Sequence, residues 1–188
     1  MSVQGRTQGS ENAKITTTTK TASNLRLCAV SLDGSLRVQD DPYLKREQAV
    51  AIFDLLNENR FAPVGHEAGP YRLELALVDR RLVMTISLDR GKHVVSHHLS
   101  LTPFRRLLKD YTFVCESLHD AVGRASPEKI EAIDMGRRGI HNEAAELLQA
   151  RLSSKVTIDI DTARRLFTLI HVLLMRSQEH GGQMRRLA

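Results

Sequence analysis

The chain lacks the features that define several classes of protein. It has no tryptophan and only two cysteines, and its longest apolar-rich run is LFTLIHVLLM at residues 166–175. That run is about half the length needed to cross a bilayer, and it contains a histidine. Cys28 and Cys115 have no second cysteine nearby in the sequence, so they suit free thiols in a reducing compartment better than a disulfide framework. The N-terminus has no apolar signal core, and we therefore expect a cytoplasmic protein.

Catalytic and cofactor motifs are missing as well. The sequence has no Gly-x-Ser-x-Gly elbow, no Cys-x-x-Cys pair, no His-Glu-x-x-His helix and no glycine-rich phosphate or dinucleotide loop. His93 and His97 share a face of a predicted strand, but they would lie about 13 Å apart, too far for one metal ion. We predict no metal site and no cofactor, and the residues leave open whether the protein is an enzyme.

The positive charge lies mainly at the ends of the chain. The formal net charge is +5 at pH 7. Residues 1–24 and 176–188 each carry an excess of two cations, and residues 25–175 carry an excess of one. Because nucleic-acid binding needs cations clustered on a folded surface, it is the weakest of the functional hypotheses.

Composition divides the chain into a folded body and two tails. Residues 1–24 are rich in Ser, Thr, Gln and Asn, and residues 179–188 contain a Gly-Gly pair and no apolar pattern. Such segments bury too little apolar surface to offset the entropy of ordering. We predict a disordered tail over 1–24, a single α+β domain over 25–178 and a flexible tail over 179–188.

Alternating apolar residues predict strands over residues 25–32, 71–79, 82–89 and 93–101. With Arg80-Arg81 as a two-residue hairpin loop, Leu75 faces Ile86. The next strand pairs Met84 with His97 and directs His97 toward the core. The last three strands therefore form an antiparallel meander with one apolar side.

Apolar stripes and proline-containing start signals predict four helices, near residues 43–58, 103–124, 127–152 and 161–178. The first helix would bury a face that contains Ile52 and Phe53. The last helix is apolar nearly all round at its centre, so it belongs in the middle of the helical layer. The predicted fold class is α+β, a three- to four-stranded antiparallel meander with about four helices packed on one face.

The stretch MGRRGIHNEAAELL at residues 135–148 has the densest group of functional side chains, and two geometries are possible for it. In an unbroken helix, Arg137 lies in an apolar stripe and needs a carboxylate such as Asp134. If instead Gly139 ends one helix and Asn142 caps another, Arg137 and Arg138 lie beside a helix N-terminus that suits a phosphate or carboxylate. The candidate binding residues are Asp134, Arg137, Arg138, His141, Asn142 and Glu143, together with Arg105 and Arg106 at a helix start and His97.

Five runs of the body resemble a known family. They are AVAIFDLLNENRFAPVG, GPYRLELAL, HHLSLTPFRRLLKDYTFVCES, EKIEAIDMGRRGIHNEAAELLQARL and DTARRLFTLIHVLL, and they cover nearly all of residues 25–175. They are similar to bacterial proteins grouped as uncharacterised protein family 0262. The resemblance implies a soluble cytoplasmic domain of this size, and it transfers no activity and no catalytic residue.

Three functional hypotheses follow. The leading one is a non-catalytic binding domain that acts on a protein partner or on itself, with residues 137–143 as its best polar surface. The second is an enzyme or ligand-binding domain for a phosphorylated or carboxylated small molecule, in which Arg137 and Arg138 clamp the anion and His141 or Glu143 acts as acid or base. The third is nucleic-acid binding.

Overall fold

The computed structural model describes residues 24–33 and 42–186, with the side chains of residues 178–186 left undescribed. In chain order, the elements are β1 (Leu27–Leu32), α1 (Pro42–Asn57), β2 (Phe61–Pro63), β3 (Tyr71–Val78), β4 (Arg81–Leu88), β5 (His93–Ser100), a 3-10 turn (Thr102–Phe104), α2 (Arg105–Ala121), α3 (Pro127–Leu152), β6 (Val156–Ile158) and α4 (Ile160–Arg186). The predicted α+β class is confirmed. The tail predicted over residues 1–24 lies outside the described residues except for Asn24.

The main sheet has the strand order β1-β3-β4-β5. The predicted meander of β3, β4 and β5 is antiparallel, and Met84 lies opposite His97 as expected. β1 joins the sheet parallel to β3, so the four-stranded sheet is mixed, whereas the prediction was an antiparallel sheet. The connection between β1 and β3 contains α1, and a parallel pair requires a crossover of this kind.

The hairpin between β3 and β4 turns one residue earlier than predicted. Leu75 lies opposite Met84 rather than Ile86. Asp79 and Arg80 form the turn with φ angles of 48° and 62°, the left-handed conformations of a two-residue type I′ turn. The resulting shift of two residues in register keeps the same side chains on the core face of the sheet, because side chains alternate with a period of two.

A second, two-stranded sheet joins distant segments of the chain. β2 pairs with β6, so that Phe61 lies opposite Ile158. The Gly- and Pro-rich composition of residues 61–70 predicts only a connection, and the short alternation at residues 156–160 predicts an edge strand or an extended linker. Short strands of three residues carry too weak an alternation to reveal such a partner.

α4 contacts β3 and packs between α1 and α3, which agrees with its predicted place at the centre of the helical layer. The buried face of α1 differs from the predicted one. α1 buries Leu44, Ala51 and Leu55, while Phe53 is 70% exposed. α4 also ends later than predicted, because its backbone remains helical to Arg186, through most of the segment expected to be a flexible tail.

α3 continues through Gly139 without a break. Ser126 precedes its first residue and accepts a hydrogen bond from the Lys129 amide, as the start signal predicted. The alternative in which Asn142 caps a separate helix is therefore wrong. A Cβ placed on Gly136 or on Gly139 meets no atom within 4 Å apart from the neighbouring residues and backbone of its own helix.

We predict that Gly139→Ala stabilises the protein by about 0.5–1 kcal/mol, because alanine loses less backbone entropy in a helix and fits without contact. Urea unfolding followed by circular dichroism measures this change. Gly123→Ala is the matched control, since Gly123 has a φ of 78° and alanine is strained there, which should lower stability. Destabilisation by Gly139→Ala would contradict an unbroken helix.

Candidate functional site

The two arginines of the polar stretch share one carboxylate on their own helix. Arg137 donates from Nε to Asp134 at 2.8 Å, and its terminal nitrogen lies 2.7 Å from the same oxygen. Arg138 lies 3.1 Å from the other oxygen of Asp134. Burial alone lowers the pKa of Arg137, but Asp134 and the nearby Tyr111 outweigh it and raise this pKa above its ordinary value. The Arg137 charge is thus paired in the way that an unbroken helix requires.

His141 joins α3 to α4. Its Nε2 lies 3.0 Å from the Arg164 carbonyl and 3.1 Å from the Thr168 hydroxyl. Because a carbonyl only accepts, Nε2 carries the proton. The ring stacks on Tyr111 with centroids 5.4 Å apart. Burial lowers the pKa of His141, and the nearby charges of Arg137 and Arg164 lower it further against the opposing effect of the carbonyl. His141 is therefore a neutral packing residue.

Asn142 and Glu143 also bind neighbouring helices. Arg164 on α4 donates to the Asn142 side chain at 2.9 Å. Arg106 on α2 forms an exposed ion pair with Glu143 at 3.0 Å. Every candidate residue of this stretch therefore contacts a partner within the fold, and the stretch holds three helices together.

Tyr111 lies at the centre of a cluster of rings in the helical layer. Its ring meets the His171 ring edge-on at 5.0 Å and the Phe167 ring at 5.4 Å. The Thr112 hydroxyl donates to the Leu108 carbonyl at 2.9 Å, so it accepts from Nε2 of His171, also at 2.9 Å. Burial, with a smaller effect of His141, lowers the pKa of His171 to about 4.

His97 lies on the core side of β5, as the register predicted, apart from the other candidates. Its Nε2 is buried and has no hydrogen-bond partner among the described residues. Burial lowers the pKa of His97, and the charge of Lys155 lowers it further, against the opposing effect of the Lys155 backbone.

A cleft of about 1220 Å³ opens between the tip of the β3–β4 hairpin, the start of α2 and the second half of α4. Its charged lining consists of Arg80, Arg81, Arg105, Arg106, Lys109, Asp79 and Glu116. Its apolar lining includes Leu77, Leu101, Leu108, Phe113, Leu174 and Met175, and His171 forms part of the wall. Cations therefore surround an apolar floor.

Four Arg-Arg pairs, at residues 80–81, 105–106, 137–138 and 164–165, separate into two groups in the fold. Arg164 pairs with Asp161 at 2.6 Å, and Arg165 donates to the Glu58 carbonyl at 2.8 Å. The pair on α3 shares Asp134, as described above. Of the five cations that line the cleft, Arg106 alone has a carboxylate within ion-pair distance in residues 24–33 and 42–177; Arg80, Arg81, Arg105 and Lys109 have none, and neither do several exposed cations elsewhere, such as Arg124.

Sequence reasoning found part of this cleft and missed the rest. Arg105 and Arg106 were candidates because cations in the first turn of a helix oppose its dipole. Arg80, Arg81 and Lys109 were not candidates, although repeated Arg-Arg pairs were a usable signal. A hairpin tip and a helix start 25 residues apart in the chain show no pattern that brings them together.

Neither a membrane-spanning helix nor a metal cluster is found in the part of the chain that the structure describes, residues 24–33 and 42–186. None of the helices in these ranges combines the length and the apolar character needed to cross a bilayer. Among the same residues, no three His, Cys, Asp or Glu side chains are grouped so that they could hold a metal ion.

The fold and the cleft define a small α+β protein with a basic site above an apolar floor. The chain belongs to the family described as Uncharacterised protein family (UPF0262), whose model matches residues 24–176. A UPF0262 protein of Rhizobium meliloti (strain 1021) is 59% identical over 157 residues, which cover 84% of this chain and 99% of that protein. A UPF0262 protein of Agrobacterium fabrum is 54% identical over 155 residues, 82% of this chain and 98% of its own. No solved structure matches the chain.

We predict that Asp134→Asn lowers the free energy of unfolding by about 1 kcal/mol, because it leaves the Arg137 charge half-buried without a carboxylate. Arg137 and Asp134 are only 28% and 32% exposed. Glu143→Gln is the matched control, since its pair with Arg106 is 57–76% exposed and should contribute less than about 0.5 kcal/mol. Equal effects of the two variants in urea unfolding would contradict this difference.

We predict that His171 makes stability depend on pH. Its pKa is about 4 in the fold against 6.5 for an ordinary histidine, so the unfolded chain binds more protons between these values. The contribution of the neutral His171 ring to the free energy of unfolding is complete above pH 6.5. As the pH falls toward 4, the free energy of unfolding decreases by an amount on the order of 3 kcal/mol. His171→Leu should flatten the dependence in urea unfolding at neutral and acidic pH, whereas His66→Leu at an exposed site should not. A parallel loss in the His171 variant and the parent would contradict the prediction.

Proposed function

We propose that the protein is a binding domain for an anionic small molecule that also carries an apolar group, and that the cleft is its binding site. One observation carries the proposal: Arg80, Arg81 and Arg105 line the same cleft, and none of them has a carboxylate partner in the described part of the chain. A guanidinium binds a phosphate or carboxylate through two parallel hydrogen bonds, which gives geometric specificity as well as affinity.

The floor of the cleft supports an apolar group on the ligand. Leu108, Leu174 and Met175 line it, and Phe113 is 70% exposed at its edge. Small-molecule sites combine a mostly apolar surface with a few placed polar groups, in cavities of roughly 300–1000 Å³. The volume here accommodates such a ligand together with some water.

The ligand class is that of our second hypothesis, but the site is a different one. Residues 134–143 bind their neighbours in the fold, whereas the cleft retains cations without partners. We propose binding rather than catalysis because His171, the imidazole in the wall, is 7% exposed and its Nε2 proton is held by Thr112. A cytoplasmic location fits the free thiols of Cys28 and Cys115.

The test is calorimetric titration of the full chain with four probes: inorganic phosphate, octyl phosphate, octanoate and octanol. Octyl phosphate and octanoate should bind more tightly than inorganic phosphate or octanol, because each joins an anion to an apolar chain. We predict that Arg81→Gln with Arg105→Gln weakens their binding about tenfold or more, since hydrogen bonds to charged groups contribute about 1.5–3 kcal/mol. Higher salt should weaken binding in the parent.

Arg124→Gln is the control, because it removes an exposed arginine outside the cleft. Failure of every probe to bind, or equal binding by the double variant and the parent, would overturn the proposal. An acidic peptide and a single-stranded oligonucleotide complete the panel. Binding of either one alone, lost in the double variant, would replace the small molecule with a protein or nucleic-acid partner.

A further inference from the structure

β5 forms one edge of the four-stranded sheet, and no described strand pairs with its outer side. Within the residues that the structure describes, the backbone of β5 makes ladder hydrogen bonds to β4 and to no other segment. In an antiparallel strand, alternate N–H and C=O groups point away from the paired neighbour. Eight residues of extended chain therefore present backbone donors and acceptors along a free edge.

β5 also lacks the devices that keep edge strands apart. Its sequence, HVVSHHLS, contains no lysine, arginine, aspartate, glutamate, proline or glycine. Natural sheets protect their edges with charged residues, with proline or with a covering element. The opposite edge illustrates the contrast, because the Asn59 side chain accepts from the Leu27 amide at 2.6 Å and donates to its carbonyl at 3.2 Å.

We propose that β5 pairs with β5 of a second copy of the chain, antiparallel across a two-fold axis, and joins two sheets into one. A partner in the extended conformation can bind the unpaired backbone groups, which is the mode of strand addition. A strand without charges meets its own copy without like-charge repulsion. The contact uses the same edge on both copies, so it closes as a dimer and does not propagate.

The side chains favour one register of this pairing. With the axis through His97, Val95 lies opposite Leu99 of the second copy, and both are on the core side of the sheet. An axis through Ser96 would instead place Val95 opposite His97. The favoured register also sets the two His97 rings side by side, and each ring has a buried Nε2 without a hydrogen-bond partner among the described residues.

This inference does not rest on the proposed function, and sedimentation equilibrium of the full chain tests it. We expect the mass of two copies. Neighbouring residues of a strand direct their N–H groups to opposite sides. Of the two variants Ser96→Pro and His97→Pro, one therefore removes an N–H that bonds to β4, and the other removes an N–H that points to the free edge. The variant that loses the outward N–H should stay folded by circular dichroism and sediment as one copy.

A monomeric parent would overturn the proposal. So would a variant that lacks the outward N–H, stays folded and still dimerises. If both proline variants unfold, single cysteines decide the matter in a chain with Cys28→Ser and Cys115→Ala. In the proposed register, only residue 97 faces itself, so His97→Cys should form a disulfide between copies under mild oxidation. Ser96→Cys and His98→Cys should not. Absence of the His97→Cys cross-link, or equal cross-linking of all three, would then count against it.

Discussion

Burial of α4 on nearly all of its sides is the constraint on which the other elements depend. Between Ala163 and Leu173, most apolar side chains of this helix are almost completely buried. A helix that is apolar all round must be enclosed by other elements. α1 and α3 pack on α4, and β3 lies beneath it. Each large apolar side chain buried in this way contributes about 1.5–3 kcal/mol, so the enclosure outweighs any single polar contact.

The polar face of α3 packs against the buried helix α4. His141 and Asn142 lie where α3 meets α4, and groups buried there are costly unless they are hydrogen-bonded. Their density in the sequence therefore reflects the packing of helices on one another. The cleft proposed as a binding site differs from this stretch, because Arg105 in its lining has no carboxylate partner among the described residues.

Local patterns predicted the parts of the fold that neighbouring residues determine. The pairing of Met84 with His97, the start of α3 at Pro127 and the burial of α4 all follow from periodicity or capping. The β3–β4 turn was displaced because either loop keeps the same side chains on the core face. The parallel pairing of β1 and the cleft depend on contacts between remote segments. One sequence carries no signal for such contacts.

The β3–β4 hairpin has a mechanical consequence for the cleft. Its last paired residues are Val78 and Arg81, and the turn at Asp79 and Arg80 projects beyond them. The sheet supports the two strands along their length, whereas the turn, which carries cations, is held at one end only. Across the cleft, α2 forms a fixed wall. An anion that binds both the turn and α2 would hold the hairpin at both ends. The hairpin would then move less, and amide hydrogen exchange along β3 and β4 would be slower.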